Sequence, residues 1–503
     1  MAYTVDKETP VAVIGAGSMG AGIAQLAAQS GHPVRLFDTQ PGASQRALAR
    51  IDADLAGAVK RGRIDEAERA AVRGRLAAAS DFAALAGCGL AVEAIVEKLD
   101  AKKSLFAELE TVLGAEAILA TNTSSISITA IAQGLVEPRR VVGWHFFNPV
   151  TRMKLVEIIP GVETDPALVP AMHALSKAWG KTSVDAPNAP GFIVNRVARP
   201  FYAEGLRLLA ERIAPAAAID RLMREAGGFA MGPFELMDLI GLDVNLSVTE
   251  SVFQATAFDS RYAPNLLQQE LVRSGRFGRK SGRGFYAYGK DVAVPEAATV
   301  APADNAPLLE VPVDAGLLAP LVQRLQAAGA RVEVNEGLPD ETLAIGSTRI
   351  ALTDGRTAAL RSVGGALVLL DLARDYAITT TLGATAAGGA SLAELAAVLQ
   401  PAGIALIELD DVAGRAVMRT VACLANEAAD VMTWTGTQPA DIDIAMVLGT
   451  AYPLGPLAWA DMLGAARVAQ TLANLQAHYG DARYRRAPLL ARLQHTRGRF
   501  HGQ

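Results

Sequence analysis

Gly15, Gly17 and Gly20 form a G-x-G-x-x-G run that ends a short apolar stretch, 11–16, and leads into a helical pattern. No other feature restricts the fold as strongly, because the stretch must be a sheet strand and the helix must pack back on it. Gly15 permits the tight turn, Gly17 lets the backbone approach a pyrophosphate, and Gly20 lets helix and strand pack closely. The helix N-terminus adds unpaired N–H groups and the positive end of its dipole. Asp38 ends the second apolar run, 34–38. A carboxylate there accepts hydrogen bonds from both adenosine-ribose hydroxyls and repels a 2′-phosphate, so NAD is expected rather than NADP. Arg35 points to the opposite face from Leu36 and does not replace the acid. A glycine turn without a ligand is the alternative.

The alternation continues, with β-like runs at 90–95, 117–121, 141–146, 155–160 and 181–186. Residues 1–187 therefore read as a parallel sheet covered by helices. The insert at 41–74 reads as a helical hairpin broken at Gly62. Over 188–288 the strand signal stops and apolar residues recur at helical spacing. Residues 289–307, rich in Pro and Ala and without period, suit a linker. Residues 308–408 mix β-like runs with Ala/Leu helices as a small α/β unit, in which Asp371, Arg374 and Asp375 read as surface charges. The tail, 409–503, repeats the helical segment. One constant offset pairs Gly191 with Gly414, Arg196 with Arg419, Glu204 with Glu427 and Asp220 with Asp443. The same offset pairs Gly232-Pro233 with Gly455-Pro456, Asp238 with Asp461 and Gly241 with Gly464. The expected fold class is an α/β Rossmann domain followed by an all-helical domain, a small α/β unit and a second copy of the helical domain.

With 47 Lys+Arg against 52 Asp+Glu and no basic run, the chain lacks the electrostatic footprint of a nucleic-acid binder. No apolar stretch approaches the ~20 residues of a membrane span, so no membrane partner is expected. The N-terminus has no apolar signal core before the first strand, which makes the cytoplasm the expected location. Two cysteines, Cys88 and Cys423, leave no disulfide framework and no thiolate metal site, and no metal is expected.

Of six histidines, His145 alone lies at the C-terminal end of a candidate sheet strand, where open α/β sheets place ligands. Aromatic residues bracket it, and Glu157 follows on the next strand. Adjacent strands can set a carboxylate against an imidazole, holding its tautomer and stabilising the imidazolium as it takes a proton. A hydrogen-bonded core histidine is the other reading of the same residue.

Seven ordered motifs now stand together: GAGSMG (15–20), VEAIVE (92–97), NTSSISI (122–128), HFFNPV (145–150), LVEII (155–159), GFIVNRV (191–197) and GRKSGRGFY (278–286). Across 10–286 the chain resembles the NAD-dependent 3-hydroxyacyl-CoA dehydrogenases, and the tail resembles the same family's helical domain. The resemblance implies oxidation of an (S)-3-hydroxyacyl-CoA to the 3-ketoacyl-CoA. It makes His145 the general base, Glu157 its orienting carboxylate, Ser124 the hydroxyl touching substrate and nicotinamide, and Asn195 the amide that polarises the substrate oxygen. It assigns Glu97, Lys102 and Lys280 to the cofactor and Asn148 to the nicotinamide amide region. The 41–74 insert corresponds to the hairpin gripping coenzyme A, with Lys60 and Arg61 as phosphate partners.

The added tail resembles the long enzymes of bacterial aromatic catabolism, which act on 3-hydroxyadipyl-CoA in phenylacetate degradation. 3-Hydroxybutyryl-CoA is the alternative substrate, and an NAD-binding structural protein without turnover is the alternative class. A substrate ending in a second carboxylate would need a cation, for which Arg152, Lys154, Arg196 and Arg199 are candidates. Helical domains of this family commonly pair with a second subunit's copy. Internal pseudo-twofold pairing of 188–288 with 409–503 is therefore expected, with a homodimer left open. Asn195 corresponds to Met418 in the tail, so one active site per chain is expected.

Overall fold

The computed structural model describes residues 3–290, 292–293 and 295–502; Asp291 and Val294, within the expected linker 289–307, and positions 1, 2 and 503 lie outside the described residues. Residues up to Asn195, with Leu448–Thr450, form one compact unit, and the remainder of the chain forms a second.

The first unit opens β1 (Val11–Ile14), α1 (Ser18–Gln29), β2 (Val34–Phe37), α2 (Ala43–Lys60) and α3 (Glu66–Gly74). It continues β3 (Leu76–Ala78), β4 (Leu90–Glu93), α4 (Leu99–Val112), β5 (Ile118–Thr121) and α5 (Ile128–Ala132). β6 (Val141–Phe146), β7 (Leu155–Pro160), α6 (Leu168–Ala178) and β8 (Thr182–Asp185) complete it, and the short α7 (Val194–Val197) begins in its last residues. The eight strands run in the order β3-β2-β1-β4-β5-β6-β7-β8. β1, β4 and β5 are buried at every position because helices cover both faces, which is why they read as continuous apolar runs.

Two features depart from the sequence reading. The 90–95 run is the fourth strand rather than the third, since β3 precedes it at the sheet edge. Its three residues, two half-buried and one exposed, are too few to leave a pattern. The sheet is also not wholly parallel, because β6 and β7 are antiparallel. The eight residues between them form a tight turn, whereas a parallel return needs a crossover of about a dozen or more. The insert folds as expected into α2 and α3 around Gly62, whose φ is 65°. His32 is 2 % exposed, takes the Trp179 indole N–H at Nε2 and faces the Thr9 carbonyl with Nδ1. Burial pushes its pKa down, and it is a neutral core residue.

The second unit carries α8 (Arg199–Ala210), α9 (Ala216–Glu225), α10 (Pro233–Ile240), α11 (Leu242–Ala255) and α12 (Leu266–Arg273). A seven-stranded sheet spanning β9 (Leu309–Val311) to β15 (Ala405–Glu408) follows. Within it, β12 (Thr348–Leu352), β13 (Leu367–Leu370) and β14 (Thr381–Ala387) lead to β15. A 19-residue helix, Val417–Thr435, opens the second helical copy. The linker has no regular element among its described residues, yet Val300 N–H donates to Leu406 O and Ala303 N–H to Ala393 O.

Residues paired by the internal repeat do the same work and exchange partners. Arg196 Nε donates to Glu427 at 2.7 Å, and Arg419 Nε donates to Glu204 at 2.7 Å. The Tyr262 hydroxyl bonds Glu427, and the Tyr484 hydroxyl bonds Glu204. Burial opposes ionisation of Glu204, but Arg207 and Arg419 hold it down to about 2. Asp220 accepts the Phe234 and Glu235 amides, as Asp443 accepts those of Leu457 and Ala458. Asp238 and Asp461 likewise take the paired amides of 285–286 and 500–501. What the tail keeps is therefore the set of buried carboxylates that satisfy backbone N–H groups.

Candidate active site

The glycine run builds a floor for a dinucleotide. A Cβ on Gly15 would lie 2.4 Å from Ala94 O and one on Gly20 1.8 Å from Gly15 O, whereas one on Gly17 would meet nothing within 4 Å. Close packing thus fills two sides of the loop and leaves Gly17, the N-cap of α1, facing open space. Asp38 stands at the end of β2, with Oδ2 accepting from Ala16 N–H at 2.7 Å and Oδ1 from Gln40 N–H at 2.8 Å. Arg35 is turned away, donating to the carbonyls of Ala84 and Ala86. These residues fit NAD. Asp38→Ser is expected to cut kcat/KM for NAD roughly 10- to 100-fold, the size of lost hydrogen bonds to a charged group, and to narrow the gap to NADP. Steady-state rates with both cofactors check this, and equal efficiency in the wild type would overturn the role of Asp38.

The antiparallel register of β6 and β7 places His145 directly opposite Glu157. His145 Nδ1 lies 2.7 Å from Glu157 Oε2, and Glu157 is fully buried. Glu157 Oε1 accepts the backbone N–H groups of Ile193 and Val194, both at 3.0 Å. Those amides open α7, which carries Asn195, so one carboxylate holds both the imidazole and the helix start. Phe147 and Phe192 pack against the ring, with centroids 4.5 and 5.8 Å away.

Ser124 lies in the turn after β5. Its N–H and hydroxyl donate to Glu97 Oε1 at 2.8 and 3.2 Å, and Ser125 and Thr123 donate to the same oxygen. Desolvation raises the Glu97 pKa, but Lys102 and these donors outweigh it and leave the carboxyl below its usual value. Lys102 is 1 % exposed, with Nζ 2.6 Å from Glu93 and 3.2 Å from Glu97. Its charge is thus shared between Glu93 and Glu97, beneath the Ser124 turn. Glu93, buried and also bonded to Thr121, is a residue the sequence reading passed over. A charge inside an apolar strand was its signal. Asn122, equally missed, accepts the Phe146 N–H at 2.8 Å.

Asn148 is exposed in the turn after β6, and Lys60 and Arg61 are exposed at the end of α2. Lys280 belongs to the second unit, where Nζ pairs with Asp243 at 2.6 Å. Arg152 and Lys154 are exposed. Arg196 and Arg199 are not available as substrate cations. Arg196 is held by Glu427 and Asp430, and the buried Arg199 lies over the Tyr202 ring and donates to Thr249.

The small α/β unit corrects a second reading. Asp371 is no surface charge: it is 1 % exposed and accepts the N–H groups of Ala416, Val417 and Met418. Glu157 pairs with Val184 as Gly383 pairs with Ile407, and Asp371 N–H donates to Gly383 O. By register, then, Asp371 stands where His145 stands, and Gly383 replaces Glu157. The repeat matches Ala416 and Val417 to Ile193 and Val194. The second copy therefore keeps a carboxylate for the helix start and has no imidazole beside it. Gly191 and Phe192 both have positive φ, as do Gly414 and Arg415, so that bend belongs to the helix start and not to catalysis.

A dinucleotide floor with an acid at the end of β2 and an imidazole–carboxylate pair at the strand ends define a nicotinamide-dependent dehydrogenase. Family models place the NAD binding domain of 3-hydroxyacyl-CoA dehydrogenase at 10–189 and its C-terminal domain at 191–288 and 414–500. A reduced Rossmann-fold domain described from 3-hydroxybutyryl-CoA dehydrogenase matches 350–412. The chain is 42 % identical to the 3-hydroxyadipyl-CoA dehydrogenase of Escherichia coli K12, over 95 % of this chain and 96 % of that one. It is 40 % identical to a Clostridioides difficile 3-hydroxybutyryl-CoA dehydrogenase, over 56 % of this chain and 99 % of the other. A crystal structure of 3-hydroxybutyryl-CoA dehydrogenase from Escherichia coli K12 superposes with a TM-score of 0.88 at 39 % identity, covering 98 % of this chain and 99 % of that one. The chain belongs to the NAD-dependent 3-hydroxyacyl-CoA dehydrogenase family. No helix among the described residues is long and apolar enough to cross a membrane.

Proposed function

We propose that this enzyme oxidises (S)-3-hydroxyadipyl-CoA to the 3-keto thioester at one active site per chain. The observation that carries the reaction type is the buried His145–Glu157 pair, with its second carboxylate oxygen fixed on the start of α7. Bound NAD supplies the hydride acceptor. His145 Nε2 takes the proton of the C3 hydroxyl while Nδ1–H stays on Glu157, which stabilises the imidazolium. Ser124 and Asn195 hold the same oxygen as it becomes a carbonyl, and their fixed dipoles stabilise the charge that develops on it. Glu97 sets the Ser124 turn, with Lys102 and Glu93 behind it. Gly15, Gly17, Gly20 and Asp38 bind the dinucleotide, Asn148 meets its amide end, and Lys60 and Arg61 meet coenzyme A phosphates.

Residues 1–187 and 188–288 carry the activity in this reading. Residues 308–408 and 409–503 form a non-catalytic counterpart whose pairing stands in for a second subunit. A cytoplasmic location goes with it. Support for the acid-ended substrate comes from the near-full-length relative named for it. 3-Hydroxybutyryl-CoA is the second reading, favoured by the name of the solved structure that superposes over the whole chain. Initial rates with both thioesters decide between them. We expect kcat/KM to favour the adipyl substrate by at least ~10-fold, the worth of one charge-assisted contact. A preference for the C4 substrate would overturn the assignment.

A further inference from the structure

Lys181, between α6 and β8, is only 8 % exposed and has no part in the catalytic reading. Its Nζ donates to two backbone carbonyls, Val150 O at 2.5 Å and Met153 O at 2.7 Å. Burial first, and then the nearby Lys154 charge, lower its pKa to about 8. A buried ammonium is costly unless its protons are taken up, and here peptide oxygens take them.

Those oxygens belong to one turn. The Arg152 and Met153 N–H groups both donate to Pro149 O at 2.9 Å, closing the turn 149–153 directly after Asn148. On its other side Val150, 2 % exposed, lies against α1: a Cβ on Gly22 would come within 2.9 Å of the Val150 Cβ. The turn is therefore pressed onto the dinucleotide helix by Val150 and tied to the start of β8 by Lys181. Its upstream end is fixed by the Phe146 N–H on Asn122 and by His145 on Glu157. Asn148 sits between these two anchor points.

We propose that Lys181 is a positioning residue for the oxidation, acting through the 149–153 turn to hold Asn148 in place for the nicotinamide end of the cofactor. The proposal rests on the reading that Asn148 meets the nicotinamide. Lys181 itself touches neither substrate nor cofactor. Loss of two hydrogen bonds to a charged donor is expected to weaken binding by about 10-fold or more.

The test is a double-mutant cycle of Lys181→Met and Asn148→Ala in the full chain, read by NADH fluorescence titration and by steady-state kinetics. Lys181→Met should raise the Kd for NADH and the KM for NAD about 10-fold, with the KM for acyl-CoA unchanged and kcat reduced less than about 3-fold. In the Asn148→Ala background the same substitution should add little, because residues acting through one another are not additive. Lys181→Arg, which keeps a donor on the carbonyls and guards against loss of folding, should stay within about 3-fold of wild type. Additive effects, equal rises in both KM values, or no change with Lys181→Met would each overturn the proposal. An Asn148→Ala variant that binds NADH normally would overturn it by a different route, since the reading of Asn148 would then be at fault.

Discussion

Replacing His145 with alanine is expected to lower kcat by ~10²–10⁴-fold, the usual contribution of a positioned general base. The NADH affinity should stay close to wild type. The imidazole touches Glu157, Phe147 and Phe192, and none of these belongs to the glycine loop or to the ribose site at Asp38. Removing the ring leaves Glu157 Oε2 without its His145 partner, at a cost of about 1–3 kcal/mol. Thermal melts should therefore accompany the rates, and His145→Gln, which keeps a donor near the carboxylate, serves as the second variant. Stopped-flow formation of NADH separates the chemical step from product release. Wild-type turnover in either variant would place the base elsewhere.

The parts of this site legible in the sequence are those whose chemistry is local. Gly15, Gly17 and Gly20 are spaced by the demands of one turn, and Asp38 by the length of one strand–helix–strand unit. His145 is marked by its place at a strand end among aromatic residues. What escapes is whatever depends on a distant backbone. Asp371 looks like a charge leaving an apolar strand, but its partners are three amides at the start of a helix well along the chain, and amides carry no mark of their own in a sequence. Arg196 and Arg199 look like free cations on a helix. The acids that neutralise Arg196 lie in the second copy, and only the repeat offset, read as a set of exchanged partners, could have predicted them. The short β3 and the antiparallel β7 fail for another reason. A three-residue edge strand has no periodicity to read, and a buried strand looks the same in either direction.

The second copy also separates structural from catalytic duties at matched positions. Every one of these carboxylates that satisfies a pair of backbone amides persists in some form: Asp443 for Asp220, Asp461 for Asp238, and Asp371 in place of Glu157. The imidazole at the His145 position and the amide at the Asn195 position do not. Selection on the fold alone would keep buried N–H groups paired, because each orphan costs free energy whether or not anything is catalysed.

That division explains why Glu157→Gln should be nearly as damaging as loss of the base, while changing only one group at constant shape. The carboxylate accepts three hydrogen bonds, one from His145 and two from the Ile193 and Val194 amides. A glutamine has one oxygen and one NH₂ in the same places. With the oxygen toward the amides, NH₂ faces Nδ1, which must then become the acceptor and force the proton onto Nε2. The ring is left in the wrong tautomer to receive the substrate proton, a fault that costs about 10⁴-fold in the serine-protease triad. With the oxygen toward His145, NH₂ instead confronts two donors, and the helix start bearing Asn195 must shift. Either arrangement lowers kcat, and the buried donor clash lowers stability by about 1–3 kcal/mol. We expect kcat to fall ~10³–10⁴-fold with KM for NAD unchanged, and the melting temperature to drop measurably. Steady-state rates across pH and calorimetry check both. A Glu157→Gln enzyme that melts like wild type and keeps more than about a tenth of its kcat would show that Glu157 neither orients His145 nor holds α7.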